Sequence, residues 1–169
     1  MTPLPGALGG LALRAWRLEL TRHASTWASA EGAFRFGGRW SSAGRRVLYT
    51  AIDPATAIVE IGVHKGLHTL DSVPHTLLDI SINDPSGVHV MDGGTIPNPN
   101  WLCPGTVGRG QQMFGDALLT TYPLVLVPSV VSTHSWNLLI DVLGGDGLFR
   151  LRHSEAFALD PRLNLIHCA

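Results

Sequence analysis

The alternation of apolar and polar positions predicts a chain built mostly of short β-strands. Residues 11–20 alternate loosely and contain Trp and Leu, which favours a first strand. Residues 124–131 form a longer apolar run, and Pro128 within it indicates a bulge or a sheet edge. Further strands are predicted at residues 47–51, 75–82 and 88–91, and shorter strand or helix signals lie at residues 136–142 and 148–152.

One predicted helix is clearly delimited at both ends. Asp53 followed by Pro54 is a favourable start, because Asp is a good N-cap and Pro suits the first helical position. Gly66 is a typical end. The helix predicted over residues 55–64 is largely apolar, and Glu60 is the only acidic residue within it.

The rest of the pattern completes an α+β domain. A second helix is predicted over residues 106–119, with Thr106 as its N-cap. Residues 21–46 and 93–105 are rich in turn-forming residues and predict long loops, and a loop as long as the first is usually functional in a small domain. About six strands and two helices without an internal repeat indicate the α+β class.

Length and composition fit one compact domain. The chain has 169 residues, a formal net charge of -1, 45% hydrophobic residues and 15% charged residues. We expect a flexible N-terminal segment over residues 1–10 and a single domain over residues 11–169. Twelve Lys and Arg residues face thirteen Asp and Glu residues. The chain therefore lacks the basic surplus of a dedicated nucleic-acid-binding protein.

The sequence favours a protein of the cytoplasm. Its apolar first residues lack the basic segment of a signal peptide, and no apolar run approaches the ~20 residues that a membrane-spanning helix needs. Cys103 and Cys168 are far apart and form no CxxC motif, so neither a zinc ribbon nor a disulfide framework is predicted. A reducing compartment is the simpler interpretation.

A small set of polar residues stands out as candidate functional residues. Each also has a structural explanation, such as an exposed charge, a core tyrosine or a polar group that satisfies nearby backbone. Glu60 is the hardest to explain structurally, because a carboxylate beside apolar neighbours must be solvated, paired or functional. The set is Arg17, Arg39, Tyr49, Glu60, Ser129 and Asn137.

The order and spacing of several short motifs resemble the RES domain, the toxin half of RES–Xre toxin–antitoxin pairs. The resemblance covers about residues 14 to 163. After Ser129 the chain departs from the pattern that family members often show around the Asn. The matching motifs are Trp16-Arg17-Leu18, Gly37-Gly38-Arg39-Trp40, Val47 to Ala51, Ala57 to Glu60, Gly115-Asp116, Leu126 to Ser129, Asn137-Leu138-Leu139 and Asp160 to Leu163.

The resemblance implies a fold similar to ADP-ribosyltransferases, with a split β-sheet core, flanking helices and a cleft that binds NAD as a substrate. Cleavage of the nicotinamide–ribose bond develops oxocarbenium character, which a carboxylate near the ribose stabilises, and Glu60 is the candidate. Arg17 and Arg39 are suited to binding the pyrophosphate. This chemistry needs no metal.

The resemblance also suggests roles for the remaining candidates. Tyr49 would stack on the nicotinamide, and Ser129 and Asn137 would hydrogen-bond the ribose or the carboxamide. The predicted catalytic residues are therefore Glu60, Tyr49 and Arg17, and all of the set except Glu60 are predicted to bind NAD.

The acceptor in the reaction stays open at this point. Water gives a NAD glycohydrolase, phosphate a NAD phosphorylase, and a protein side chain an ADP-ribosyltransferase. We favour NAD breakdown, since no target-binding segment is recognisable. A catalytically silent nucleotide-binding module is a further alternative, which the altered stretch after Ser129 supports.

The resemblance also implies a partner. The expected partner is a small antitoxin with an Xre-type helix-turn-helix, a segment of which would block the cleft. Nucleic acid would then be contacted through the antitoxin, and no membrane is involved. Self-association stays open, because the sequence shows no interface pattern.

Two other interpretations are less favoured. His64 and His68 have the spacing of a metal pair, but Gly66 between them argues against one continuous helix that presents both. Ser129 and His134 suggest part of a hydrolase triad, but no GxSxG motif surrounds Ser129.

Overall fold

A seven-stranded mixed sheet with helices packed against it forms the structure, a computed structural model that describes residues 12–103, 105, 107–160 and 162. The predicted α+β class is confirmed. The predicted flexible segment over residues 1–10 lies outside the described residues.

Seven strands and four α-helices make up the described part of the chain. The strands are β1 (Leu13–Leu20), β2 (Val47–Ala51), β3 (His75–Ile82), β4 (His89–Val90), β5 (Leu124–Pro128), β6 (Trp136–Asp141) and β7 (Phe149–Phe157). The helices are α1 (Glu31–Phe36), α2 (Pro54–Lys65), α3 (Leu67–Ser72) and α4 (Arg109–Thr121). The strand order is β4-β5-β6-β2-β1-β3-β7, and only β4 and β5 run parallel.

The sheet is split between β1 and β2. These neighbours share one register pair, Trp16 with Ala51. By contrast, β1 and β3 pair along their full length, from Leu13 with Ile82 to Leu20 with His75. One half of the sheet is therefore β4-β5-β6-β2 and the other is β1-β3-β7, which is the split β-sheet core that the resemblance implied.

The cores on the two sides of the sheet differ in extent. One side carries a single core that spans both halves, with Leu13 and Ile80 from one half and Leu126 and Leu138 from the other. The opposite side carries two separate cores. One packs under α4 against β2, β5 and β6, and the other packs under α2 and α3 against β1 and β3. The two cores on this side are therefore separate from each other.

The helix α2 matches its sequence signals closely. The Asp53 side chain accepts the Thr56 backbone N–H at 2.8 Å, Pro54 is the first helical residue, and Gly66 ends the helix with φ of +82°. The buried residues of α2 include Ala57, as its apolar face predicts. The helix is one residue longer at each end than predicted.

Three parts of the prediction were wrong in detail. Residues 21–46, expected as loop, contain a 3-10 helix over Thr21–Ser29 and then α1. Residue 106 lies outside the described residues, and the N-cap of α4 is Gly108 rather than Thr106. The strand predicted over residues 124–131 ends at Pro128 without a bulge, because the chain turns there.

The edge strand β7 is longer than residues 148–152 predicted. Nearly all of its side chains are exposed. Phe149 and Leu151 alternate with Arg150 and Arg152, but the alternation stops at His153, so the sequence pattern covers only the first half of the strand. Its pairing with β3 over the full strand is a long-range contact.

Gly115 is where α4 approaches the backbone of the loop before β2. A Cβ atom at this position would lie 2.1 Å from the carbonyl oxygen of Trp40. A contact that short forces the helix and the loop apart, because both atoms belong to rigid backbone. The absence of a side chain at Gly115 therefore allows α4 to pack against this loop.

We expect Gly115→Ala to destabilise the fold by about 1–3 kcal/mol, as overpacking does. Thermal unfolding followed by circular dichroism should show a melting temperature lowered by several degrees. Gly110→Ala is the matched control, because it lies in the same helix with no atom within 4 Å of the added Cβ. Equal melting temperatures for both variants would contradict the packing argument.

Candidate active site

Glu60 lies at the centre of a hydrogen-bonded cluster that joins α2 to the β5–β6 hairpin. The Ser129 hydroxyl donates to Glu60 Oε1 at 3.0 Å, and the Asn137 side-chain amide donates to the same oxygen at 2.5 Å. Among the described residues, Oε2 has no hydrogen-bond partner. One carboxylate oxygen is thus held by two donors while the other stays available.

The turn between β5 and β6 sets the direction of the Ser129 hydroxyl. The Ser129 N–H donates to the Ser135 carbonyl at 3.0 Å, and the Ser132 N–H donates to Ser129 Oγ at 3.0 Å. Ser129 is fully buried. Its hydroxyl therefore accepts from the turn and donates to Glu60, and both of these contacts are internal to the protein.

Asn137 is oriented by its contact with Glu60. A carboxylate oxygen accepts but does not donate when ionised, so the NH2 group of the amide has to face it. The other amide atom, Oδ1, is buried and has no hydrogen-bond partner in the described structure. Asn137 pairs with Ala51 of β2 and with Val127 of β5, which fixes its place beside the split.

Asp53 connects the start of α2 to the same hairpin. Its Oδ1 accepts the Thr56 N–H, and its Oδ2 accepts the Thr56 hydroxyl at 2.7 Å and the Ser135 hydroxyl at 2.5 Å. Burial raises the pKa of Asp53, but these donors more than offset it, so the pKa lies below its usual value. The stabilisation from the ionised carboxylate is present above about pH 3.9 and is lost as pH falls further.

Arg17 fills the edge of β2 where the sheet is split. Its Nη1 donates to the Tyr49 carbonyl at 2.9 Å. Its Nε and Nη2 donate to one oxygen of Glu19 at 3.0 and 2.6 Å. Burial raises the pKa of Glu19, but Arg17 beside it lowers the pKa by more, so the net shift is downward. Glu19 was missed in the sequence, although residues two apart on a strand share a face.

Tyr49 supports the turn that carries Arg39. The Tyr49 hydroxyl accepts the Trp40 backbone N–H at 3.0 Å and lies 2.9 Å from the Ser41 hydroxyl. The turn approaches so closely that a Cβ at Gly38 would lie 2.4 Å from the hydroxyl oxygen. The ring is half-buried, and burial raises the pKa of Tyr49 to about 12. Stacking on nicotinamide stays a prediction for this ring.

Arg39 is held by one backbone contact. Its Nη1 donates to the Trp101 carbonyl at 2.9 Å. On the other side of the turn, the Gln112 amide donates to the Gly38 carbonyl at 2.9 Å, and Asp116 accepts the Ser42 N–H at 3.1 Å. The turn is therefore fixed by α4 from one side and by Tyr49 from the other.

The six predicted site residues form two groups beside the split. Glu60, Ser129 and Asn137 are directly hydrogen-bonded. Arg17 contacts the backbone of Tyr49, whose hydroxyl supports the turn of Arg39. The two groups adjoin, since Asn137 pairs with Ala51, two residues from Tyr49 on the same face of β2.

The alternative sites gain no support from the geometry. Ser129 Oγ donates to Glu60 rather than to His134. His64 and His68 are exposed and lie on separate helices, α2 and α3. Within the described residues no group of three or more His, Cys, Asp or Glu side chains is placed to hold a metal ion. No helix there has the length and apolar character to cross a membrane.

Comparison with known proteins identifies the family. A family profile for the RES domain matches residues 14–160. The chain belongs to the RES domain family. Its relatives include "Toxin Res" of Photorhabdus laumondii, 25% identical over 132 residues, which covers 78% of this chain and 83% of the relative. Another is "Prs ADP-ribosylating toxin" of Sphingobium sp., 30% identical over 142 residues, which covers 80% and 85% respectively.

A solved structure shares the fold of this RES domain. It is a chain of the MbcT–MbcA toxin–antitoxin complex of M. tuberculosis, which matches with a TM-score of 0.64 at 21% identity. The match covers 90% of this chain and 86% of the other. At this identity the comparison shows the fold, and the roles of individual residues rest on the contacts described above.

We expect the stability of this RES domain to fall steeply at high pH because of Tyr49. A tyrosine in an unfolded chain ionises near pH 10, whereas Tyr49 in the folded chain ionises at about 12. Because the folded pKa is the higher one, the stabilisation is complete below about pH 10 and is lost as pH rises toward 12. Melting temperatures measured across this range should fall less in Tyr49→Phe than in the wild type.

Tyr122→Phe is the control for this titration. It removes the other of the two tyrosines and leaves Tyr49 in place, so the steep fall should persist. Parallel curves for the wild type and Tyr49→Phe would show that the Tyr49 hydroxyl has no such effect.

Proposed function

We propose that this RES domain is a toxin that consumes NAD by cleaving the nicotinamide–ribose bond, with water or phosphate as acceptor. The observation that carries the proposal is the state of Glu60, whose Oε1 is held by Ser129 and Asn137 while Oε2 has no hydrogen-bond partner among the described residues. A carboxylate held in a fixed direction is what a reaction with developing positive charge requires. The names of the relatives, which describe toxins, support the biological role.

The chemistry follows from charge balance. When the bond breaks, its electron pair goes to the nicotinamide nitrogen, which loses its positive charge. Positive charge then develops on the ribose carbon and ring oxygen. A carboxylate oxygen near this centre and the 2′-hydroxyl stabilises the transition state, as in glycoside cleavage. The acceptor oxygen forms the new bond and, if it is water, releases a proton.

The roles of Ser129 and Asn137 change in this proposal. Both were predicted to bind NAD, and in the structure their donor groups are bonded to Glu60. Two donors on one oxygen restrict rotation of the carboxylate about its terminal bond. We therefore assign them the orientation of Glu60, which leaves Oε2 for the substrate.

Arg39 is the best-placed residue to bind the pyrophosphate. Among the described arginines it is the only one that is partly buried and has no carboxylate partner. Burying an unpaired charge is costly, so such a group favours an anionic ligand. Arg17, in contrast, already has three of its five N–H donors in use on Glu19 and Tyr49. Arg17 then adds a weaker, second contact to the phosphates.

The cellular context extends the same proposal. We propose an antitoxin partner of the Xre type and action in the cytoplasm. The solved structure that shares this fold belongs to a toxin–antitoxin complex, which supports the partner. NAD itself is abundant in the cytoplasm, where its consumption would be toxic.

A second candidate function is ADP-ribosylation of a protein. The Sphingobium relative is named as an ADP-ribosylating toxin and shares 30% identity over most of both chains. The bond that breaks is the same, and only the acceptor differs. Product analysis therefore separates the two functions.

We expect Glu60→Gln to lower NAD consumption about 100-fold or more, because an amide removes the negative charge that stabilises the transition state. The purified full chain is incubated with NAD, with and without phosphate, and nicotinamide and the ribosyl product are measured by mass spectrometry. Free ADP-ribose indicates water as the acceptor, and its phosphate ester indicates phosphate.

Glu31→Gln is the control for this experiment, since it changes a carboxylate of α1 that pairs with Arg35 and Arg46 instead of with the hairpin. It should consume NAD like the wild type. A folded wild type that consumes no NAD under either condition would contradict the proposal, and a mass increase on an added protein would favour the second function.

We expect Arg39→Ala to raise the KM for NAD about 10- to 100-fold with a smaller effect on kcat, as the loss of a charge-assisted contact predicts. Initial rates at varied NAD concentration measure both constants. Arg35→Ala is the matched control, because Arg35 is an exposed cation of α1 that pairs with Glu31. An unchanged KM in Arg39→Ala would show that the pyrophosphate binds elsewhere.

A further inference from the structure

We propose that Asp53 and Ser135 form a clasp that positions Glu60 for catalysis. The clasp is the hydrogen bond from Ser135 Oγ to Asp53 Oδ2, at 2.5 Å. The inference rests on the proposed function, since it concerns the geometry of the carboxylate that this function uses. The hydrogen bonds described for Glu60 come from Ser129 and Asn137 and not from these two residues, so both are positioning residues.

The need for such a clasp follows from where α2 packs. Its apolar face lies mainly against β1 and α3, in the half of the sheet that contains β1 and β3, while its start follows β2 of the other half after two residues. The donors to Glu60 belong to the other half, where Ser129 follows β5 and Asn137 lies in β6. The two halves share one register pair. The Ile52 N–H donates to the Trp136 carbonyl at 3.1 Å, so the backbone holds the entry to α2 beside the hairpin. Packing and this single bond leave the direction of the helix relative to the hairpin weakly determined.

Two hydrogen-bonded ties join α2 and its N-cap to the hairpin. The first is the Asp53–Ser135 clasp at the start of α2. The second is the pair of hydrogen bonds to Glu60. Seven residues of helix separate the ties, which is about 10 Å along the axis. Two points of attachment fix the direction of α2 relative to the hairpin, whereas one would let the helix pivot about it.

The clasp is well built for this purpose. Asp53 is the N-cap of α2, so its carboxylate moves with the helix, and the Thr56 hydroxyl holds the same oxygen that Ser135 contacts. Thr56 lies one turn before Glu60 on the same face. On the other side, the backbone of Ser135 closes the turn of Ser129. A shift at the clasp is thus transmitted to both the carboxylate and its donor.

Two variants remove the clasp with little other change. Ser135→Ala deletes the donor. Asp53→Ser keeps a residue that caps helices as well as Asp does, but its side chain is too short to reach Ser135. Ser135→Thr retains a hydroxyl and serves as the conservative variant. Asp84→Ser is the matched control, because Asp84 caps an exposed 3-10 turn in the same way, through Ser86.

Steady-state kinetics on the full chain test the proposal. We expect Ser135→Ala and Asp53→Ser to lower kcat by about 10- to 100-fold, as small misplacements of a catalytic group do, with the KM for NAD within twofold of the wild type. Ser135→Thr should restore most of kcat, and Asp84→Ser should resemble the wild type. The double variant should lose no more than the single variants, because both act through one contact.

Three results would overturn the clasp. An unchanged kcat in both single variants shows that Glu60 is positioned without it. A kcat in Ser135→Thr as low as in Ser135→Ala shows that the hydroxyl is not what matters. A loss of kcat that matches a lower folded fraction, measured by circular dichroism at the assay temperature, shows general destabilisation, because unfolded chains lower the apparent kcat and leave KM unchanged.

Hydrogen exchange separates failure of the clasp from failure of the proposed function. If the folded wild type consumes no NAD, the proposed function fails, and the clasp is then judged by the exchange of the α2 backbone amides. Faster exchange in the first turn of α2 in Ser135→Ala, with the rest of the sheet unchanged, supports the clasp. Unchanged exchange there overturns it.

Discussion

The single register pair between β1 and β2 is the constraint on which the site depends. A continuous sheet would use the inner edge of β2 for backbone hydrogen bonds along its whole length. Because pairing stops at Trp16 and Ala51, the Tyr49 carbonyl accepts from the Arg17 side chain instead. The split thus separates two cores and at the same time creates backbone groups that only side chains can satisfy.

At the split, hydrogen bonds between side chains hold the two halves of the structure together, as backbone hydrogen bonds between strands do elsewhere in the sheet. Glu60, carried by a helix that packs on one half, is held by Ser129 and Asn137 of the other. These contacts are charge-assisted and partly buried, so each is stronger than an exposed equivalent. The stabilisation of the fold and the orientation of the carboxylate therefore depend on the same bonds, and a substitution at either donor changes both.

Local signals made part of this structure predictable. The bounds of α2 follow from Asp53, Pro54 and Gly66, all adjacent to the helix in sequence, and Glu60 was evident as an acidic residue in an apolar helix. Long-range contacts were not predictable. The hydrogen bond from Ser135 to Asp53 joins residues 82 apart in the sequence. The strand β7 is exposed on both faces, so its full length could not be predicted from the pattern of apolar residues.

Glu60 and Arg39 are both positioned by the same half of the sheet. Glu60 is tied to β6 and to the turn after β5, while the turn of Arg39 rests on Tyr49 of β2, which pairs with β6. The distance between the carboxylate and the partly buried arginine is therefore set within the continuous ladder of β2, β5 and β6. A small change in the angle of the split would move β1 and Arg17 relative to this ladder. It would alter the Glu60–Arg39 distance only through α2, and the bonds between α2 and the hairpin oppose that movement.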